Sequence, residues 1–331
     1  MAAINWFPGH MHKARQEIAT QMRRVKLVIE VLDARAPFSS ENPLVPQLRG
    51  ETPSLKVLNK VDLADAEQTA RWLERLEQEP GVVAVPARAT HPSDAQKVLQ
   101  RGEELLRTGS NKASLVMILG VPNVGKSTLI NAMAGKNVCR TENRPAVTQR
   151  QQKITLTPRI TLLDTPGFLW PRLAPAECAY RLAISGAIKD GIFDFDEAAS
   201  FLLHHLVGVY PEVLASAYDF ESPAPDETNA AEWTRSALRA IASKRNLMRT
   251  GGVPDLERAA EVLVRDYRRG RLGRISLESP ESVDSDEYRL GKEDGIRQGA
   301  ERRSERRDER RRLRKEQRIA AKKEAAGKLR F

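Results

Sequence analysis

Gly120-Val121-Pro122-Asn123-Val124-Gly125-Lys126-Ser127 has the residue types of a phosphate-binding loop. Its glycines let backbone N–H groups turn toward phosphate oxygens, and the helix that follows adds the positive end of its dipole. Lys126 is expected to reach the β- and γ-phosphates. Ser127 is expected to ligate Mg2+ through its hydroxyl, which suits a hard octahedral ion. Asn123, Val124, Gly125 and Thr128 complete the expected phosphate cradle. Asp164-Thr165-Pro166-Gly167 is a second element: Asp164 would hold Mg2+ through water, and the Gly167 N–H would meet the γ-phosphate. Asn59-Lys60-Val61-Asp62 is a third, suited to reading a base. A carboxylate at Asp62 can accept two hydrogen bonds from guanine N1 and N2, a pair that adenine does not offer. Such a site rejects the wrong base by roughly 10⁴-fold. Asn59 would brace neighbouring loops, and the Lys60 stem would pack on the base plane.

Other positions complete or complicate this site. A second base loop is expected at Pro86-Ala87-Arg88, where Ala87 would donate its N–H to guanine O6; a plain strand-to-loop turn is the alternative. Thr148, before a predicted strand, is the candidate for a switch threonine that ligates Mg2+ with GTP bound; an ordinary loop threonine is the alternative. Phe168 stands just after Gly167, where many GTPases carry a glutamine that orients water. Phenylalanine cannot hydrogen-bond that water. His10, at a helix start after Pro8-Gly9, is the candidate for the missing function, because imidazole can orient or deprotonate water near neutral pH. On residue chemistry alone, a helix-capping or surface histidine fits as well.

The elements that must position these residues alternate. Strands are predicted at 26–32, 55–58, 82–85 and 114–119, with helices over roughly 10–24, 64–78 and 94–107 and another opening at Lys126. Segments 152–156 and 159–163 read as a hairpin. This alternation predicts an α/β fold, a mostly parallel sheet with helices on both faces. After about Trp170 the strand signals stop, and helices are predicted at 175–187, 196–206, 211–218, 229–246 and 255–269. The expected organisation is a nucleotide domain over 1–170, a helical RNA-facing domain over 171–275, and a charged basic tail over 276–331, disordered or a single helix.

The base motif precedes the phosphate loop by about sixty residues, whereas in ordinary GTPases it follows. A site assembled from loops at strand ends survives such a reordering, provided the loops still meet in space. The order resembles that of circularly permuted P-loop GTPases. More closely, the chain resembles the ribosome biogenesis GTPase A family, the RbgA/YlqF type. The matching pieces are Phe7–Met11, Asp33–Pro37, Asn59–Asp62, Gly120–Ser127, Arg144–Thr148 with Gln151-Gln152, and Asp164–Pro171. The resemblance implies a cytoplasmic GTPase acting late in large-subunit assembly and stimulated by that particle. It implies a catalytic histidine at His10, with an apolar residue at the position of Phe168. It also implies K+ beside the phosphates, ligated by Asn123. The family usually has Gly where Ala146 stands.

Charge is unevenly spread. The formal net charge is +10 over 331 residues. Sixteen Lys/Arg against eight Asp/Glu fall between Lys292 and Arg330, leaving about +2 for the rest. Such a tail either grips rRNA by phosphate neutralisation or is a solvated appendage. Cys139 and Cys178 have no metal spacing and form no disulfide framework. With 40% apolar residues and no run approaching the roughly twenty of a membrane span, a soluble monomer is expected. Its expected partners are GTP/GDP and a large-subunit precursor with its rRNA, without membrane or DNA.

Overall fold

A computed structural model describes residues 9–106, 113–140, 152–283 and 291–292, without the side chains of residues 9, 10 and 12–14. The chain runs α1 (Gly9–Met22), β1 (Leu27–Asp33), α2 (Pro37–Ser40), α3 (Val45–Arg49), β2 (Ser54–Asn59), α4 (Ala66–Glu77), β3 (Val82–Ala87) and α5 (Pro92–Leu105). It continues through β4 (Ser114–Leu119), α6 (Lys126–Ala134), β5 (Gln152–Thr155) and β6 (Ile160–Asp164). From there it is helical: α7 (Ala176–Ser185), α8 (Phe195–Val209), α9 (Pro211–Tyr218), α10 (Ala230–Lys244), α11 (Leu256–Arg268) and α12 (Pro280–Val283).

The sheet order is β3-β2-β1-β4-β6-β5. All neighbours are parallel except the β5–β6 pair, which is the expected hairpin. Every residue of β1 and β2 is buried, as central parallel strands covered on both faces require. Because β1, β2, β3, β4 and β6 run the same way, their carboxyl ends share one edge. Asp33, Asn59, Ala87, the loop after Leu119, and Asp164 all emerge there, where ligands of open α/β sheets bind. The permutation is visible in this order: the base-motif strand β2 is separated from the phosphate-loop strand β4 by β1 alone, although it comes earlier in the chain.

Local chemistry sets the helix ends. Asp65 caps α4 by accepting from Gln68 N, Asp194 caps α8, and Asp255 caps α11. Pro211 opens α9 at a position where no N–H is needed. The helices α8, α10 and α11 pack through Leu202, Leu206, Leu238, Ile241, Leu263 and Val264, all buried. One continuous hydrophobic core joins these residues to the sheet, so no break in packing marks residue 170.

The expected tail start at residue 276 needs correction. Ser276, Leu277, Glu278, Pro280, Val283 and Lys292 are buried. Glu278 accepts hydrogen bonds from Ser39 N (3.0 Å) and Ser39 Oγ (2.7 Å), and its Oε2 lies 3.5 Å from the Arg181 guanidinium. Its backbone carbonyl accepts from Trp72 Nε1 (3.3 Å). A polar composition reads as tail only when its polar groups lack partners. Here Ser39 and Arg181 supply them, so the segment folds onto the body. Lys292 lies over the Phe38 ring, 4.0 Å from its centroid, and donates to the Phe38 carbonyl. The tail expectation for 293–331 lies outside the described residues.

Candidate functional site

The phosphate loop leaves β4 at Leu119 and enters α6 at Lys126. Three residues in it have positive φ: Gly120 (φ 149°), Asn123 (φ 56°) and Gly125 (φ 105°). At Gly125 a Cβ would fall 2.2 Å from Asn59 Nδ2, so only glycine fits. That contact exists because Asn59 reaches across to the loop. Its Nδ2 donates to Val124 O (2.7 Å), and its Oδ1 accepts from Ala89 N (2.8 Å). One buried amide thus ties the base motif to the phosphate loop and to the loop after β3.

Lys60 also has a left-handed backbone (φ 67°). Its Nζ donates to Asp33 Oδ2 (2.8 Å) and to Asn123 O (3.0 Å). Asp33 is itself buried and gripped by Arg35 through two bonds, Nε to Oδ1 (2.8 Å) and Nη2 to Oδ2 (2.7 Å). Burial alone would raise the Asp33 carboxyl, but Arg35 and then Lys60 hold it well below the usual carboxylate range. Burial, seconded by Arg35, lowers the Lys60 ammonium while Asp33 opposes. The Asp33–Arg35–Lys60 chain therefore fixes a cation beneath the phosphate loop. The sequence showed Asp33–Pro37 only as a matching string; its bracing role went unread.

Asp62 sits in the exposed turn after Lys60, where Leu63 N donates to Lys60 O (2.9 Å). Ala87 needs correction. It is the last residue of β3, fully buried and paired with Asn59 in the ladder. Its carbonyl accepts from Val61 N (3.4 Å), so the strand runs on through the residues expected to form a loop, and Ala87 stands at its carboxyl end. The loop that reaches the base motif starts one residue later, and Ala89 is the position that Asn59 holds. Arg88 is bound by Asp94 at 2.7 Å, which anchors this loop to α5.

Lys126 is buried, its Nζ donating to Gly120 O and Val121 O (both 2.9 Å). Burial lowers its pKa to about 8, with Asp164 opposing. Ser127 and Thr128 lie in the first turn of α6, partly exposed. Asp164, at the end of β6, pairs with Ile118 of β4, and Thr165 Oγ1 donates to Ile118 O (2.7 Å). Burial raises the Asp164 carboxyl; Lys126 and the Cys139 thiol, whose Sγ lies 3.6 Å from Oδ2, oppose that rise. Gly167 packs on the phosphate loop so closely that a Cβ would fall 2.8 Å from Pro122 Cα. Asn123 Nδ2 donates to Gly186 O at the end of α7 (2.9 Å), a link from phosphate loop to helices that sequence did not reveal.

Phe168 is fully buried, and Asn42 Nδ2 holds its carbonyl (3.0 Å). His10 lies in α1, but its side chain is outside the described residues, as is Thr148. Its neighbour Met11 is buried, and Leu169 N points at the Met11 sulfur (3.5 Å). The start of α1 thus rests on the segment that follows Gly167. The structure therefore brings Asn59, Lys60, Asn123 to Lys126, Asp164 and Gly167 into contact at one sheet edge.

Among known proteins, residues 115–206 match the family model described as 50S ribosome-binding GTPase. The chain is 36% identical over 288 residues to ribosome biogenesis GTPase A of Bacillus pumilus, covering 84% of this chain and 99% of that protein. It is 34% identical to mitochondrial ribosome-associated GTPase 1 of mouse, covering 82% of this chain and 89% of that protein. A solved structure titled GNP-bound YlqF from Thermotoga maritima matches with a TM-score of 0.59 at 28% identity, covering 82% of this chain and all of that one. With this identity over nearly the whole of its relatives, and a phosphate loop and base motif meeting at one sheet edge in permuted order, the chain belongs to the ribosome biogenesis GTPase A family and is a GTPase.

Proposed function

We propose that the chain docks on a maturing large ribosomal subunit in its GTP state and leaves after hydrolysis. The observation that carries this reading is the junction between nucleotide site and helices. The segment from Asp164 to Trp170 runs directly into α7, while the phosphate loop holds the far end of α7 through Asn123 and Gly186. A change beside the γ-phosphate is therefore attached at two points to helices that expose Arg269 and Arg271 near the end of α11. Exposed arginines suit RNA phosphates. The relatives' names, ribosome biogenesis and ribosome-associated GTPase, support the choice of particle.

Within the site, Asp62 reads the guanine edge, Asn59 and Lys60 hold the loops around it, and the backbone of residues 123–128 cradles the phosphates with Lys126. GTPases generally use Mg2+, and the residues here fit it. Asp164 Oδ1 is buried with no hydrogen-bond partner among the described residues, and Ser127 lies in the first turn of α6, just after the phosphate loop. Such an ion would neutralise charge on the phosphate oxygens; Thr148 is its third expected ligand. Asn123 commits its Nδ2 to Gly186, leaving its Oδ1 to take K+. His10 orients the attacking water, in a site where buried Phe168 offers no hydrogen bond.

That buried Phe168 also favours a second reading, a GTP-dependent docking module whose hydrolysis is incidental. The test is co-sedimentation with ribosomal particles in GDP or a non-hydrolysable GTP analogue, paired with single-turnover hydrolysis with and without large subunits. Analogue-dependent binding to large-subunit particles and particle-stimulated hydrolysis, lost in His10→Ala, are expected. Binding without stimulation selects the docking module. Stimulation by another RNA, such as tRNA, or sedimentation blind to the nucleotide, overturns the reading.

A further inference from the structure

The turn that carries Asp62 is held from outside the sheet domain. Arg274 follows the end of α11, in the helical half of the chain, yet its guanidinium spans this turn. Its Nε donates to Ala64 O (2.9 Å) and its Nη2 to Val61 O (3.1 Å), one bond on each side of Asp62 and Leu63. The next residues continue the attachment. Ile275 N donates to Leu63 O (3.0 Å), and Ser276 Oγ accepts from Asp65 N (3.2 Å). Three consecutive residues thus satisfy four backbone groups of Val61–Asp65. No side chain of the described residues hydrogen-bonds the Asp62 carboxylate, so its direction is set by this turn.

The strap is held in turn by the helices. Ser276 N donates to Tyr210 Oη (3.2 Å), and Ser276 O accepts from His205 Nε2 (2.8 Å), which fixes that nitrogen as the protonated one. Leu277 N donates to Arg35 O (2.7 Å), next to the Asp33 brace. Two planar donors in a rigid fork, set against two carbonyls of one turn, fix orientation as well as distance.

We propose that Arg274 is a positioning residue for base recognition, clamping the turn that aims Asp62 at the guanine edge. The proposal rests on the reading of Asp62 as the guanine-binding carboxylate. It makes the helical half a determinant of nucleotide affinity through the strap 274–276, independently of the phosphate loop. A carboxylate that must meet two adjacent N–H groups loses both when its turn tilts, because hydrogen bonds weaken steeply with angle.

The experiment measures Kd for GDP and IDP in wild type, Arg274→Ala, Arg274→Lys and Ser276→Ala, with KM and kcat for GTP. Hypoxanthine lacks the 2-amino group, so IDP makes one Asp62 bond where GDP makes two. Arg274→Ala is expected to weaken GDP about tenfold and IDP only about threefold, narrowing the discrimination while raising KM more than it lowers kcat. Lysine reaches one carbonyl only and restores part of the loss; Ser276→Ala moves the ratio the same way by less. Equal weakening of GDP and IDP, or no weakening of either, overturns the proposal, since a merely structural residue would not act through the base. Asp62→Asn serves as the control. If it fails to shift preference toward xanthosine nucleotides, the reading of Asp62 itself falls. If it shifts preference while Arg274→Ala leaves the GDP-to-IDP ratio unmoved, Arg274 alone is dismissed.

Discussion

Replacing Asn59 by alanine tests how the site is held together, because its one amide serves two loops. The substitution removes the donor to Val124 O and the acceptor for Ala89 N, both buried bonds under 3 Å. A buried backbone group left without a partner costs about 1–3 kcal/mol. The two together therefore come to roughly 2–6 kcal/mol if neither loop can relax toward water. Without nucleotide the loops after β3 and β4 can open and recover part of this. With nucleotide they must close again, so most of the cost falls on binding. An expected loss of about 2–4 kcal/mol corresponds to roughly 30- to 1000-fold in Kd. Gly125→Ala approaches the same bond from the other side, since its Cβ would sit 2.2 Å from Asn59 Nδ2. The two substitutions should be strongly non-additive, because the added methyl meets no amide once Asn59 is gone. Titration of a fluorescent GDP analogue in Mg2+ reads the affinity, and urea unfolding without nucleotide reads the remaining stability. A Kd within threefold of wild type in Asn59→Ala, with unchanged unfolding, would refute the bracing role. Additive losses in the double variant would refute the shared contact.

Two further outcomes follow from other groups. Glu30, buried in the middle of β1 beside Lys56 on β2, has its pKa raised to about 7 by burial and then by Glu41, with Lys56, the Asn42 N–H and Lys292 opposing. The folded state therefore holds a proton that the unfolded chain releases above about 4.5. This group's contribution is fully present below that value and lost as pH rises through 7. Glu30→Gln should gain on wild type by about 2–3 kcal/mol between pH 5 and 8 in paired urea titrations; a difference that stays flat with pH would show that Glu30 is ionised in the fold. For K+, hydrolysis should be faster in KCl than in NaCl at equal ionic strength, and Asn123→Ala should erase the difference; equal rates for wild type in both salts remove the ion from the site.

Local patterns carried most of the fold. Alternating strands and helices, and the three nucleotide motifs, are written in short stretches whose periodicity or glycine placement has one reading. The strand Ser114–Leu119 and the helix Pro211–Tyr218 are as long as their apolar runs and flanking Gly or Pro require. What stayed hidden depends on distant partners. The short helices α2 and α3 begin at or beside Pro37 and Pro46, which read locally as turns. Ala87 looked like the base loop because sequence cannot say where a strand stops, and the ladder with β2 carries it two residues further than expected. Glu278 and Lys292 looked like tail because a buried charge is recognisable only with its counterpart present: Ser39 and Arg181 for the first, the Phe38 ring and carbonyl for the second. Arg35 is only a letter in a matching string until it and Lys60 are placed on either side of the Asp33 carboxylate.

The permuted order has a mechanical consequence that follows from where the helices attach. They meet the nucleotide site at three places: covalently after Trp170, at the phosphate loop through Asn123 and Gly186, and at the base turn through Arg274 and Ser276. On the proposed reading the first attachment is to the segment beside the γ-phosphate, the only part of the nucleotide that hydrolysis removes. The other two are to loops that hold groups common to GTP and GDP. A helical half fixed at the two invariant loops cannot swing as a rigid body when the γ-phosphate leaves, unless the Asn123 or Arg274 bonds break. The change must then be concentrated in the short stretch from Phe168 to Pro175, where Asn42 holds the Phe168 carbonyl and Met11 of α1 meets the Leu169 N–H. That stretch touches α1 and leads into α7. In an unpermuted chain the segment after the switch would lead back into the sheet toward the base-motif strand. Here it leads out to the helices, so on the proposed reading a rearrangement of that segment is delivered to the helical half of the chain.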